Sequence, residues 1–254
     1  IRLSLVGSEM CIRDRISSQY FGHLNEYLNS FVGGGIMFLW INQQGTSPET
    51  AALLSNQNFR QALNYGFDRS ATVNAVNPGY KAYNRLVDSN FAGPDGGKFV
   101  DEYPVETVPL SGDVDKAKEY LAAAMEELGY SDVSQLPQLE LITWDTSEQK
   151  LLLETIIDQW KQNLGLENIQ LTQYVIGTAI GSFYDLSYDL FAITWETDVL
   201  PTDIMEAMVT GGEVNYGIWS DAQFDSLVEQ AINELEPDKQ AELTAQAEQI
   251  FLDN

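Results

Sequence analysis

The alternation of segment types between residues 139 and 195 constrains the fold more than any other feature. "LELITWD" (139–145) is an apolar run suited to a strand, and Thr146 and Gln149 come after it at capping-box spacing. Leu152, Leu153, Ile156, Ile157, Trp160 and Leu164 then form a helical stripe ended by Gly165. "NIQLTQYV" and "YDLFAITW" read as two further strands, separated by a short connection around residues 176–186. Strand, helix, strand, crossover, strand specifies a mainly parallel sheet flanked by helices, so the expected class is α/β. In open sheets of this kind ligands sit beyond the carboxyl ends of the strands, which singles out the residues just after Trp195.

The flanking segments fit that frame. "GGGIMFLWIN" (33–42) places three glycines ahead of an apolar run suited to a buried strand. A phosphate-cradling loop needs its glycines after a strand and before a helix, so nucleotide binding is not expected. "NQNFRQALNYGFDRSA" (56–71) carries Phe59, Ala62, Leu63, Phe67 and Ala71 on one helical face, with Asn58 as the expected cap and Gln61 reaching back to it. Arg60, Asn64, Asp68 and Arg69 fall beside that stripe and read as a solvated face. Four prolines and five glycines between residues 77 and 112 predict a long irregular excursion. From Asp113 a stripe of Ala117, Tyr120, Leu121, Ala124, Met125 and Leu128 runs to Gly129. The tail reads as two helices, one striped by Phe224, Leu227, Val228, Ala231 and Leu235, the other opening at Pro237 and striped by Leu243, Ala247, Ile250 and Phe251.

Charge and rare residues narrow the chemistry. With 38 acidic against 13 basic residues the net charge is -25, a field that repels phosphate backbones, so nucleic acid is excluded as a partner and cationic or amine-bearing ligands are favoured. The single cysteine, Cys11, excludes an internal disulfide framework, and the single histidine, His23, cannot build a His-based metal site or a Ser-His-Asp arrangement. No apolar run approaches the roughly 20 residues needed to span a bilayer. "IRLSLVGSEMCIRDR" (1–15) lacks the apolar centre of a signal peptide and resembles translated sequencing-adapter read-through, so it is read as foreign to the protein.

Beyond the last predicted strand stands "TWETDVLPTDIMEAM", with Glu196, Asp198, Asp203 and Glu206 around a proline. Carboxylates beside a Trp at a strand end suit general acid/base work or capture of a cationic group, and sequence spacing does not choose between them. No calcium-loop series occurs, and the acids of "DVDKAK" serve a helix start, so no metal or cofactor is expected.

"RQALNYGFDR" (60–69), the Asn-terminated strand before it, "LLSNQNFRQA", "DVDKAKEYLAAA", "LGLENIQL", "YDLFAITWETD" and "PDKQAELTAQAEQI" occur in an order that resembles the peptide-binding family of extracytoplasmic solute-binding proteins. The resemblance covers nearly everything after residue 18. It implies one lobe of the type II periplasmic-binding-protein fold: a hinge-side strand region at 16–45 and a second-lobe α/β domain at 46–254, truncated at its C-terminus. It also implies a receptor rather than an enzyme, monomeric and extracytoplasmic (a cell-surface lipoprotein or periplasmic), that captures an oligopeptide and delivers it to the permease of an ABC importer. Arg60 and Asp68 would then serve packing and polar contacts. The ligand amine would be held by Asp198 beside Trp195, with the backbone of Glu196 and Thr197 pairing with an extended peptide. A nickel chelate, haem or a sugar in the same fold, a receptor that signals without transport, and a carboxylate hydrolase remain the alternatives.

Overall fold

The computed structural model describes residues 35–77, 79–196 and 200–254, with the backbone alone at Trp195 and Glu196. In chain order the elements are β1 (Gly35–Ile41), α1 (Pro48–Leu54), α2 (Gln57–Tyr65), α3 (Arg69–Val76), α4 (Phe99–Glu102), α5 (Val114–Leu128), β2 (Leu139–Trp144), α6 (Ser147–Leu164), β3 (Ile169–Tyr174), α7 (Ile176–Tyr184), β4 (Leu190–Glu196), α8 (Pro201–Ala207), α9 (Ala222–Asn233) and α10 (Pro237–Asp253). The strands among the described residues form one sheet in the order β1-β4-β2-β3. β3 and β4 both lie parallel to β2, and β1 is an antiparallel edge strand on β4. The α/β class and the mainly parallel sheet are as the sequence implied.

Alternation along the strands sorts the side chains onto two cores. Leu139, Leu141, Leu190 and Ala192 face a layer that includes Leu53, Phe59, Leu121 and Trp160 from α1, α2, α5 and α6. Trp40, Ile142, Phe191 and Ile193 face the other, where Phe183, Ile204, Phe224 and Ala247 come from α7, α8, α9 and α10. Helices thus cover both faces. Trp160 is fully buried and its indole N–H donates to the Leu63 carbonyl at 2.8 Å, so the largest side chain of the first core leaves no polar atom unpaired.

Cap chemistry sets several boundaries where the sequence placed them. Asp113 accepts from the Lys116 amide at 3.0 Å, and Gly129 and Gly165 close α5 and α6 in the left-handed region at φ 78° and 73°. Thr146 caps α6, although Gln149 contributes only its amide, at 3.2 Å, and no reciprocal side-chain bond.

Three expectations are corrected. The helix expected over 56–71 is two helices. Its cap is Asn56, which accepts from Phe59 N at 2.9 Å, while Asn58 donates to Glu127 and Gln61 to the Leu252 carbonyl. α2 ends at Gly66, where a Cβ would lie 2.8 Å from the Ala62 carbonyl and from Leu164, and Asp68 then caps α3 by accepting from Ala71 N at 2.7 Å. A competing cap inside an unbroken apolar stripe ends the first helix. Leu235 is not part of the α9 stripe: the helix stops at Asn233 and Leu235 is 90 % exposed. In α10 the buried face is Ala241, Thr244, Ala245, Ala247 and Glu248, with Leu243 only half-buried.

Candidate functional site

β4 is anchored at its start by buried side-chain hydrogen bonds. Asn42, fully buried just after β1, donates to the carbonyls of Leu186 and Tyr188 at 3.1 and 2.9 Å. Asp189, immediately before β4, accepts from the Thr46 amide and hydroxyl at 2.9 Å each and from the Glu140 amide at 3.1 Å. These bonds tie β1, β2 and β4 together at one end of the sheet. No periodic signal marks Asp189 in the sequence, because its donors come from segments distant along the chain.

Among the described residues, β4 pairs with β1 alone towards its carboxyl end. The β1 ladder runs its full length, from Ile41↔Leu190 to Gly35↔Glu196. The β2 ladder consists of Leu141↔Leu190 and Ile142↔Phe191, and one residue further the buried Thr143 hydroxyl donates to the Ala192 carbonyl at 3.3 Å. Past that point no ladder pair joins β2 and β4 among the described residues. Thr194 is exposed on β4, Asp145 is exposed after β2, and Val175 and Ile176 are 69 and 66 % exposed after β3. A crevice beyond the strand ends is where this class of sheet presents ligands with free backbone groups.

Of the residues expected to form the site, Trp195 and Glu196 occupy the last two positions of β4, paired in register with Ile36 and Gly35. Thr197 and Asp198 lie outside the described residues. The proline beyond them starts a helix: Pro201 opens α8, and Asp203 accepts from the Leu200 amide at 2.8 Å, which makes it a first-turn capping acid. Glu206 lies a turn later and faces a groove shared with Asp225 and Glu229. Among the described residues no group of three or more His, Cys, Asp or Glu side chains is placed to hold a metal ion.

The "RQALNYGFDR" stretch serves the fold. Arg60 donates to the carbonyls of Asn254 and Leu54 at 2.9 and 3.0 Å, and burial lowers its pKa to about 10. Arg69 donates to the Asn64 carbonyl at 3.0 Å and to the Asn64 side chain, lies 4.3 Å over the Phe67 ring, and is likewise lowered by burial to about 10. Both stay cationic at neutral pH and close the ends of α1 and α2. The solvated-face reading of Arg60 and Arg69 is thereby replaced by a structural one.

Glu248 escapes sequence reasoning altogether. It is fully buried on α10 and pairs with Arg85 in the irregular excursion. No local pattern marks a buried acid whose partner is 163 residues away.

Comparison with known proteins places this geometry. Residues 15–216 match the family described as bacterial extracellular solute-binding proteins, family 5 middle. The oligopeptide-binding protein OppA of Bacillus subtilis is 29 % identical over 203 residues, covering 79 % of this chain and 36 % of the relative. The dipeptide-binding protein DppE of the same organism is 26 % identical over 199 residues, covering 78 % and 35 %. The chain therefore spans about a third of the length of these relatives. Among solved structures, the substrate-binding domain of an oligopeptide ABC transporter from Bacillus anthracis superposes with a TM-score of 0.77 at 23 % identity, over 90 % of this chain and 45 % of that one. Listeria monocytogenes OppA bound to peptide gives 0.75 at 21 %, over 91 % and 44 %. These likenesses establish a shared fold of the type II periplasmic-binding-protein kind. No helix of the described residues is long and apolar enough to cross a membrane. The chain belongs to family 5 of the bacterial extracellular solute-binding proteins.

Proposed function

We propose that this chain is part of the substrate-binding component of an ABC-type peptide importer, a monomeric, non-catalytic receptor working outside the cytoplasm as a surface lipoprotein or in the periplasm. Residues 46–254 are its second lobe and 16–45 the hinge-side strand region. The observation that carries the reading is the pairing of β4 among the described residues: past Phe191 its ladder bonds there go to β1, and its β2-facing edge, unpaired within that set, suits an extended segment. A peptide added there is held by main-chain bonds that ignore side-chain identity, which suits a receptor for many sequences. In this reading Asp198 pairs with the ligand amine beside Trp195, Glu196 and Thr197 offer backbone groups, and a permease receives the released peptide. Relatives named for oligopeptide and dipeptide binding support it.

The test is titration calorimetry of short free-amine peptides, and of the same peptides N-acetylated, into the gene product extended to the length of its relatives. Binding of the free-amine pool, its loss on acetylation and a comparable loss with Asp198→Asn are expected. Equal binding of both pools removes Asp198 from its role, and binding of neither overturns the peptide class in favour of a chelate, haem or sugar.

A further inference from the structure

Between the end of α8 and one face of α9 lies an open groove of about 320 Å³. Val209, Val228 and Ile232 form its apolar floor, and Glu206, Asp225 and Glu229 stand around it. Val228 is 1 % exposed and Ile232 is 42 % exposed, so the floor runs from the core out to solvent. Asp225 and Glu229 are one turn apart on α9, a like-charge spacing that opposes the helix carrying it. Asp225 accepts from the Thr210 amide at 2.9 Å, and among the described residues none of the three carboxylates forms an ion pair. An uncharged apolar occupant would strip water from these acids with no return, whereas an occupant with flanking cations would replace that water by charge-assisted hydrogen bonds.

We propose that this groove docks a basic amphipathic helix of a partner protein, with one aliphatic side chain seated on Val209, Val228 and Ile232 and arginines a turn away on either side meeting Glu206 and Glu229. Charge complementarity selects this occupant: the net charge of -25 draws basic segments in, and the apolar floor gives them a fixed register. The surface does not use the end of β4 and stands independently of the peptide reading.

The test is fluorescence anisotropy of a labelled alanine-based helical peptide, bearing one leucine flanked by arginines one turn to each side, titrated with the full chain. Saturable binding is expected, weakened roughly tenfold by Glu206→Gln together with Glu229→Gln. Ile232→Lys, at a half-exposed position that tolerates a long polar side chain, should weaken it at least as much. Glu126→Gln with Asp158→Asn, which neutralises exposed acids on α5 and α6, helices that pack on the opposite face of the sheet from α9, should leave it within about twofold, because salt screens exposed charges that do not touch the probe. Equal loss from that control pair, unchanged binding in the Ile232→Lys variant, or no saturable binding of the probe overturns the proposal.

Discussion

Glu248→Gln is the substitution with the largest consequence readable from this structure. The Glu248 carboxylate receives N–H groups from Arg85 Nε at 3.2 Å, Arg85 Nη2, Leu86 N at 2.9 Å and Val87 N at 3.1 Å. Its side chain is fully buried and that of Arg85 is 8 % exposed, so solvent screens the pair little. Removing one partner of a buried ion pair costs about 3–5 kcal/mol, because the other charge stays behind uncompensated. Two features favour the lower end. Arg85 keeps its bonds to the carbonyls of Val100 at 2.8 Å and Tyr103 at 3.1 Å. The glutamine oxygen can still accept from the Leu86 and Val87 amides, while its amide group is turned against the guanidinium. A loss of about 3 kcal/mol corresponds to a fall in Tm of roughly 6–12 °C for a domain of this size. The assay is reversible thermal unfolding followed by circular dichroism, with hydrogen exchange at Leu86 and Val87 as the local readout. Arg85→Met with Glu248→Leu should recover much of the loss, since an apolar pair of similar volume replaces a buried ion pair at little net cost. A shift of less than about 2 °C for Glu248→Gln, or a double variant whose loss equals the sum of its singles, would refute the reasoning.

Two further substitutions test local geometry. Gly112→Ala puts a Cβ 2.6 Å from the Phe67 carbonyl at a residue whose φ is +69°, and the turn that holds α2 against α5 should lose about 2 kcal/mol or more in chemical denaturation. Asp68→Ala removes the cap of α3 and should cost about 1 kcal/mol, with accelerated amide exchange at Ala71 and little change elsewhere.

The features legible in the sequence were local ones. α5 and α6 carry a capping acid or threonine, a continuous apolar stripe and a terminal glycine, all within one element, and their limits could be read directly. The division of 56–71 could not, because Phe67 continues the stripe of α2 while packing edge-on against Trp160 from outside any helix. Strand order depends on pairings far apart in the chain: that β1 lies beside β4, and antiparallel to it, has no signature in "GGGIMFLWIN". α1 is too short for a period to declare itself and is marked only by Ser47 and Pro48 at its start. For the candidate site, a strand ending at Trp195 and Glu196 could be inferred from the βαβ order. The shortness of the β2–β4 ladder could not, since pairing between segments 49 residues apart leaves no local signal.

Among the described residues the two pairs joining β2 to β4 make the sheet a pair of ribbons, β1 with β4 and β2 with β3, riveted at the start of β4 and the middle of β2. Five residues separate the rivet at Phe191 from Glu196, a lever of about 17 Å at the rise of a strand. A rotation of a few degrees about the rivet therefore moves the tip of β4 by about an ångström, with every hydrogen bond inside each ribbon intact. Among the described residues the sideways position of that tip relative to β2 is thus set by the pairs Leu141↔Leu190 and Ile142↔Phe191, five residues back along β4.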